Sequence, residues 1–253
     1  MEGHHPVSNP PRHDPVSDPP RPGTAASARF VALHSVLTLD ARHPFVTKSL
    51  VDAQEMHRTV MSGFQGWVED GSSDARAQMG VLSAWTLNLR EAAVVLVVQS
   101  RVAADWGRLP KGVLREEPEL ITVDRTFRVG DTVAFRSVVN PTYSKARPGP
   151  DGRRLRGRRV AHTHPDGVRK WCARRFGDGD GAGGDTGGAA APECIAVRML
   201  PTVSSSAAHK GLKVARAELR GSLAVTDPAA FVTALSDGVG HARAYSCGLV
   251  LTR

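Results

Sequence analysis

Apolar positions fall into two runs of short elements, separated by a polar, arginine-rich stretch. Phe30 to Leu39 is β-rich and reads as a strand. Ser49 to Phe64 sets Leu50, Ala53, His57, Met61 and Phe64 at helical spacing, which predicts a helix with that stripe turned inward. Val81 to Leu89 and Ala92 to Gln99 read as two more strands, with Asn88 to Glu91 as the hairpin turn. Residues 101–115, which include Trp106 and Pro110, read as a loop. Glu116 to Arg128 stays open, since Pro118 and a β-branched run argue against a long helix. Thr132 to Val139 is a strand closed by Asn140-Pro141.

The second run begins around Arg158 to Ala161. Pro165 to Phe176 suits a helix that starts near Thr163 or His164 and turns Trp171 inward. Residues 177–191 hold seven glycines and three aspartates and predict a flexible loop. Cys194 to Leu200 and Lys213 to Val225 are strands, Pro228 to Leu235 is a short helix capped by Asp227, and Ser246 to Leu251 is the last strand. Each run then follows a β-α-β-β-α-β order. The expected class is α+β: two tandem ferredoxin-like (RRM-like) domains, each an antiparallel sheet with helices on one face. The expected divisions are a disordered Pro-rich extension at 1–27, a first domain at 28–143, a basic linker at 144–157 and a second domain at 158–253.

Charge adds a partner class. The formal net charge of +8 suits a polyanion such as nucleic acid, though a basic surface alone would also produce it. Three scattered cysteines, Cys172, Cys194 and Cys247, suggest neither a zinc ribbon nor a disulfide framework, and a reducing cytoplasm fits them. No apolar run is long enough to span a bilayer and the N-terminus has no signal pattern, so a cytoplasmic protein without a membrane partner is expected. His162 and His164 lack further ligands at convincing spacing, and no P-loop or G-x-S-x-G is present, so no metal or cofactor is expected.

Four places can carry chemistry. His57 fits either a core histidine bonded to a backbone carbonyl or a general acid/base near neutral pH. Arg153, Arg154, Arg156, Arg158 and Arg159 put five arginines in seven residues, which reads as a phosphate-binding cluster or as a solvated linker. Lys210, Lys213 and Arg216 surround the start of a strand, and the spacing of the last two sends them to opposite faces. The closing segment, with Gly238, Gly240, His241 and Arg243, can bring backbone amides and basic side chains to a phosphate chain, or its glycines merely make a turn.

Four segments in order resemble the CasE-type CRISPR endoribonucleases, the RNA-processing subunits of type I-E Cascade. They are DAQEMHRTVMSGF (52–64), VLVVQSRVAADW (95–106), FRSVVNPTYSKARPGPDGRRLRGRRVA (135–161) and GVGHARAYSCGLVL (238–251). The resemblance implies metal-independent cleavage of CRISPR repeat RNA (pre-crRNA) on the 3′ side of a hairpin. The 2′-hydroxyl attacks, leaving a 2′,3′-cyclic phosphate, and the protein stays bound to the mature crRNA among other Cascade subunits. It makes His57 the catalytic histidine and puts Gln54 where some members of the family carry tyrosine. It also gives the basic and glycine-rich segments an RNA-binding role. Ser246 stands in place of the first glycine of the family's G-C-G triplet. A non-catalytic hairpin-binding module and a scaffold subunit are the other readings of the same residues.

Overall fold

The computed structural model describes residues 26–68, 74–145, 147–148, 154–155, 157–176, 186–189, 194–205 and 211–253. The expected extension, apart from Ala26 and Ser27, and most of the glycine-rich loop therefore lie outside the described residues.

The first sheet is built from β1 (Ser27–Asp40), β2 (Leu82–Asn88), β3 (Ala93–Ser100) and β4 (Glu119–Arg128). Its order is β2-β3-β1-β4, with every pairing antiparallel. The undecided stretch around Glu116 to Arg128 is thus the fourth strand. Its pattern was hard to read because it lies at a sheet edge, where Phe127 is its one buried residue.

The second sheet is built from β5 (Thr132–Val139), β10 (Gly188–Ala189), β11 (Ala196–Ser204), β12 (Lys213–Val225) and β13 (Val250–Thr252). β12 pairs with β5 on one edge and with β11 and β10 on the other, and β13 pairs with β5. This corrects the expected division. Thr132 to Val139 is the central strand of the second domain, so the chain changes domain at the turn 129–131 and not in 144–157. A local pattern cannot reveal the change, because a strand's sheet is decided by its pairing partner. The expected linker carries two short antiparallel pairs, β6 (Thr142–Ser144) with β9 (Arg159–Ala161) and β7 (Arg147–Pro148) with β8 (Arg154–Leu155). Residues 186–189 are also not free loop: β10 pairs with β12, and the Thr186 hydroxyl donates to the Arg175 carbonyl at 2.7 Å.

The expected long helix is two helices, α1 (Pro44–Val51) and α2 (Ala53–Met61), followed by a 3-10 turn at Ser62–Phe64. Asp52 stands between them in extended conformation (φ -121°, ψ 115°), and its side chain accepts from the Gln54 amide at 2.8 Å. That is an N-cap, which satisfies a free amide of the first turn and restarts the helix with a new phase. The buried face of α2 becomes Ala53, Met56, Thr59 and Val60, so His57 moves to its flank.

β1 shows why the two domains form one body. Leu37 and Leu39 pack with Met56 and Val60 beneath the helices, while Phe30 and Ala32 join the core of the second domain. Alternate strand positions face opposite sides, so one strand serves both cores. Two further helices, α4 (Pro165–Phe176) and α5 (Pro228–Asp237), belong to the second domain. Where the ferredoxin-like plan has a second helix, the first domain has the loop after β3, and α5 packs against its sheet instead. Phe231 of α5 meets Phe127 of β4 edge to face, with 5.0 Å between centroids. The Gln99 amide donates to the Leu235 carbonyl at 2.8 Å, and Arg101 pairs with Asp237 at 3.0 Å. Burying a phenylalanine contributes about 1.5–3 kcal/mol, far more than the exposed ion pair.

Candidate active site

His57 and Gln54 sit on the flank of α2 that faces the chain's last residues. Those residues return there because three glycines and two hydrogen bonds shape a tight excursion. α5 ends at Gly238, whose φ of 77° and contact with Leu82 leave no room for a side chain. The Val239 amide donates to the Gly248 carbonyl at 2.8 Å and the Gly248 amide to the Val138 carbonyl at 2.7 Å. Between them, a 3-10 turn at Arg243–Tyr245 is flanked by Ala242 (φ 61°) and Ser246 (φ 56°), both left-handed. A non-glycine residue pays a conformational penalty there. The buried Ser246 hydroxyl lies 2.9 Å from that of Ser83 on β2, which ties the turn to the first domain.

Ala244 and Tyr245 thereby reach His57. The two rings meet edge to face, and the Tyr245 hydroxyl donates to Gln54 Oε1 at 3.5 Å. Burial holds the half-buried imidazole below its ordinary value of 6.5; Arg76 and Arg58 add to this, and a hydrogen bond to the Ala244 backbone opposes it. Near neutral pH the ring is uncharged and able to accept a proton. Arg76 lies on α3 (Ala75–Gln78) and donates to the Val81 carbonyl at 2.7 Å. Its burial and the charge of Arg243 push its own value down, so two guanidiniums from different domains lie near one another, and of the two it is Arg76 whose charge reaches His57.

Basic character continues away from His57. Arg243 and Arg175 line a cavity of about 170 Å³ with Asp237, Gly238 and Gly240. Arg175 also lines a second cavity of about 620 Å³, with Arg159, Arg174 and His241. The four candidate places are thus partly brought together: Gly238, Gly240 and Arg243 line the first cavity, His241 and Arg159 the second, and Arg175 lines both. Arg159 Nη1 lies 3.3 Å from His241 Nδ1, and Arg158 is exposed.

Arg216 departs from expectation. It is 4% exposed, its guanidinium lies 4.2 Å from the centre of the Trp85 ring, and Nε donates to the Pro201 carbonyl at 3.2 Å. It fastens the two domains and has no surface to offer RNA. Lys213 is exposed; Arg154 falls in β8; Arg153, Arg156 and Lys210 lie outside the described residues, as Arg154's side chain does. Sequence reasoning missed Arg76, Arg174, Arg175 and Tyr245. Arg174 and Arg175 close the last turn of α4, where basic residues suit the helix dipole and attract no notice. Among the described residues, no group of three or more His, Cys, Asp or Glu is placed to hold a metal ion. None of the described helices is long and apolar enough to cross a membrane.

Fold and site together define a two-domain ferredoxin-like protein with a histidine at a basic interdomain junction. The sequence pattern of the CRISPR associated protein family matches residues 34–253, and the chain belongs to that family. Solved structures similar to it include these three. Cse3 of Thermus thermophilus, bound to an RNA representing a pre-cleavage complex, is 23% identical with a TM-score of 0.66, over 88% of this chain and 100% of that one. CRISPR endoribonuclease Cse3 bound to a 19 nt RNA is 22% identical with a TM-score of 0.63, over 88% and 98%. A chain of a CRISPR RNA-guided surveillance complex is 18% identical with a TM-score of 0.52, over 87% and 98%. These likenesses show a shared fold. No curated protein matches the sequence.

Proposed function

We propose that this protein is a metal-independent endoribonuclease that cuts CRISPR repeat RNA on the 3′ side of a hairpin and stays bound as a subunit of the Cascade complex. The observation that carries the reading is His57: a neutral, half-buried imidazole whose ring meets that of Tyr245, itself bonded to Gln54, and which feels the charge of Arg76. Membership of the CRISPR associated protein family supplies the RNA, and the fold is shared with a CRISPR endoribonuclease and with a chain of a surveillance complex.

In this chemistry the 2′-oxygen attacks the adjacent phosphorus while the bond to the leaving 5′-oxygen breaks. His57 takes the 2′-hydroxyl proton, the leaving 5′-oxygen takes a proton from water, and His57 then returns its proton to the hydroxide so formed. The products are a 2′,3′-cyclic phosphate and a 5′-hydroxyl. Arg76 and Arg243 offset the charge that grows on the phosphate. Gln54, held by Tyr245, orients a phosphate oxygen through its amide N–H groups.

The test uses CRISPR repeat RNA, incubated in EDTA. The wild type cuts at one position, and His57→Ala binds the RNA without cutting it. A wild type that cuts nothing, or a variant that cuts as fast, overturns the assignment.

A further inference from the structure

The larger basic cavity has features that phosphate binding does not require. It measures about 620 Å³, within the range of small-molecule sites, and none of its described lining residues is acidic. Arg159 and Arg174 supply charge on one side. Tyr143 supplies an aromatic face on another: its ring lies over that of His162, with 4.7 Å between centroids and 32° between planes, and it stays 37% exposed. One face is therefore supported from behind, and the residue remains open to solvent.

One polar atom of a lining residue is buried without a partner, Thr142 Oγ1. A buried polar atom without a hydrogen bond is costly, and such atoms are few in native proteins. On a cavity wall such an atom marks a place for something that brings its own donor or acceptor.

Cations, an exposed aromatic face and an unmet polar group together match the parts of a nucleotide: phosphate, base and sugar. We propose that the cavity holds one unpaired nucleotide of the bound RNA, its base stacked on Tyr143 and its phosphate on Arg159 and Arg174. His57 does not line the site, and Arg175 joins the site to the smaller cavity that holds Arg243. It therefore fixes the register of the RNA and leaves the cleavage chemistry to α2. This assignment rests on the RNA-cleaving function proposed above.

The experiment measures binding of repeat RNAs that each carry one abasic nucleotide outside the stem, to the full-length wild type, Tyr143→Ala and Tyr143→Phe. In the wild type one position loses roughly 5- to 150-fold in affinity, the range of one base stacked on an aromatic side chain. In Tyr143→Ala the same abasic RNA binds no worse than the intact RNA, and in Tyr143→Phe the loss returns. Identical abasic penalties in the wild type and Tyr143→Ala overturn the pocket alone. A wild type that fails to bind the repeat overturns the RNA reading and the pocket with it.

Discussion

The ring of Tyr245 stands edge-on to that of His57, with 6.3 Å between centroids and 67° between planes. The same tyrosine donates to Gln54 across 191 residues of sequence. Where some relatives are expected to carry a phenol on the helix itself, this chain brings one from the opposite end, on a turn held by Ser83 and Ser246.

Tyr245→Phe keeps the edge-to-face packing and removes the hydroxyl. Cleavage should slow about 5- to 10-fold, the loss of one modest hydrogen bond, while the melting temperature stays unchanged. Tyr245→Ala removes the packing as well and should slow cleavage further. Single-turnover rates for both variants, set beside thermal melts, separate the hydroxyl from the ring.

The depressed His57 value has a signed consequence for stability. Above its ordinary value of 6.5 the ring is neutral in both folded and unfolded chains and contributes no pH dependence. As pH falls below that value the unfolded chain takes the proton first, so stability declines until the folded value is passed. His57→Asn should therefore lose less stability than wild type between about pH 7 and pH 5. His34 and His162 are shifted the same way but remain in both proteins, so the difference isolates His57. Urea titrations across that range measure it.

Charge along the basic surface should divide into binding and chemistry. Replacing Arg158 and Arg159 with glutamine should weaken hairpin binding and lower the slope of log affinity against log salt by about one per lost phosphate contact. Arg76→Gln should act chiefly on the single-turnover rate, because its charge reaches His57. Filter binding at several salt concentrations, paired with cleavage at saturating protein, distinguishes them. An unchanged slope would remove Arg158 and Arg159 from the interface.

Glu218 is 3% exposed and is met by Arg136 at 2.6 Å, Arg198 at 2.7 Å and Arg220 at 3.0 Å. Burial pushes its carboxyl up, but the hydrogen bonds from Arg136 and Arg220 and the charges of Arg136 and Arg198 bring it below the usual range. Arg136 also donates to Thr86 of the first sheet at 2.6 Å, so this carboxylate steadies the domain junction. Glu218→Gln should cost about 2–3 kcal/mol, less than a fully buried pair because Arg198 and Arg220 can rehydrate. The wild type should hold this contribution above the unfolded carboxylate value and lose it as pH falls through the folded one, a dependence absent from the variant. Chemical denaturation at two pH values checks both statements.

Most elements were legible because their signals are local. Phe30 to Leu39, Ala92 to Gln99, Pro165 to Phe176 and the Asp227 cap show their period or cap chemistry within a few residues, and each lies where it was expected. His57 was legible as a residue type in a recognisable helix. Its neighbours were not. Arg76 and Tyr245 reach its surroundings from a four-residue helix and the last turn of the chain. The cap at Asp52 shifted His57 off the core stripe, the pairing of β5 moved the domain boundary, and the Trp85 ring drew Arg216 out of solvent. By itself the sequence determined periodicity, capping and the supply of basic and titratable groups, since these depend on near neighbours. Only the tertiary structure decided which of those groups share a site, because that depends on strand partners and on how α5 joins the two sheets into one core.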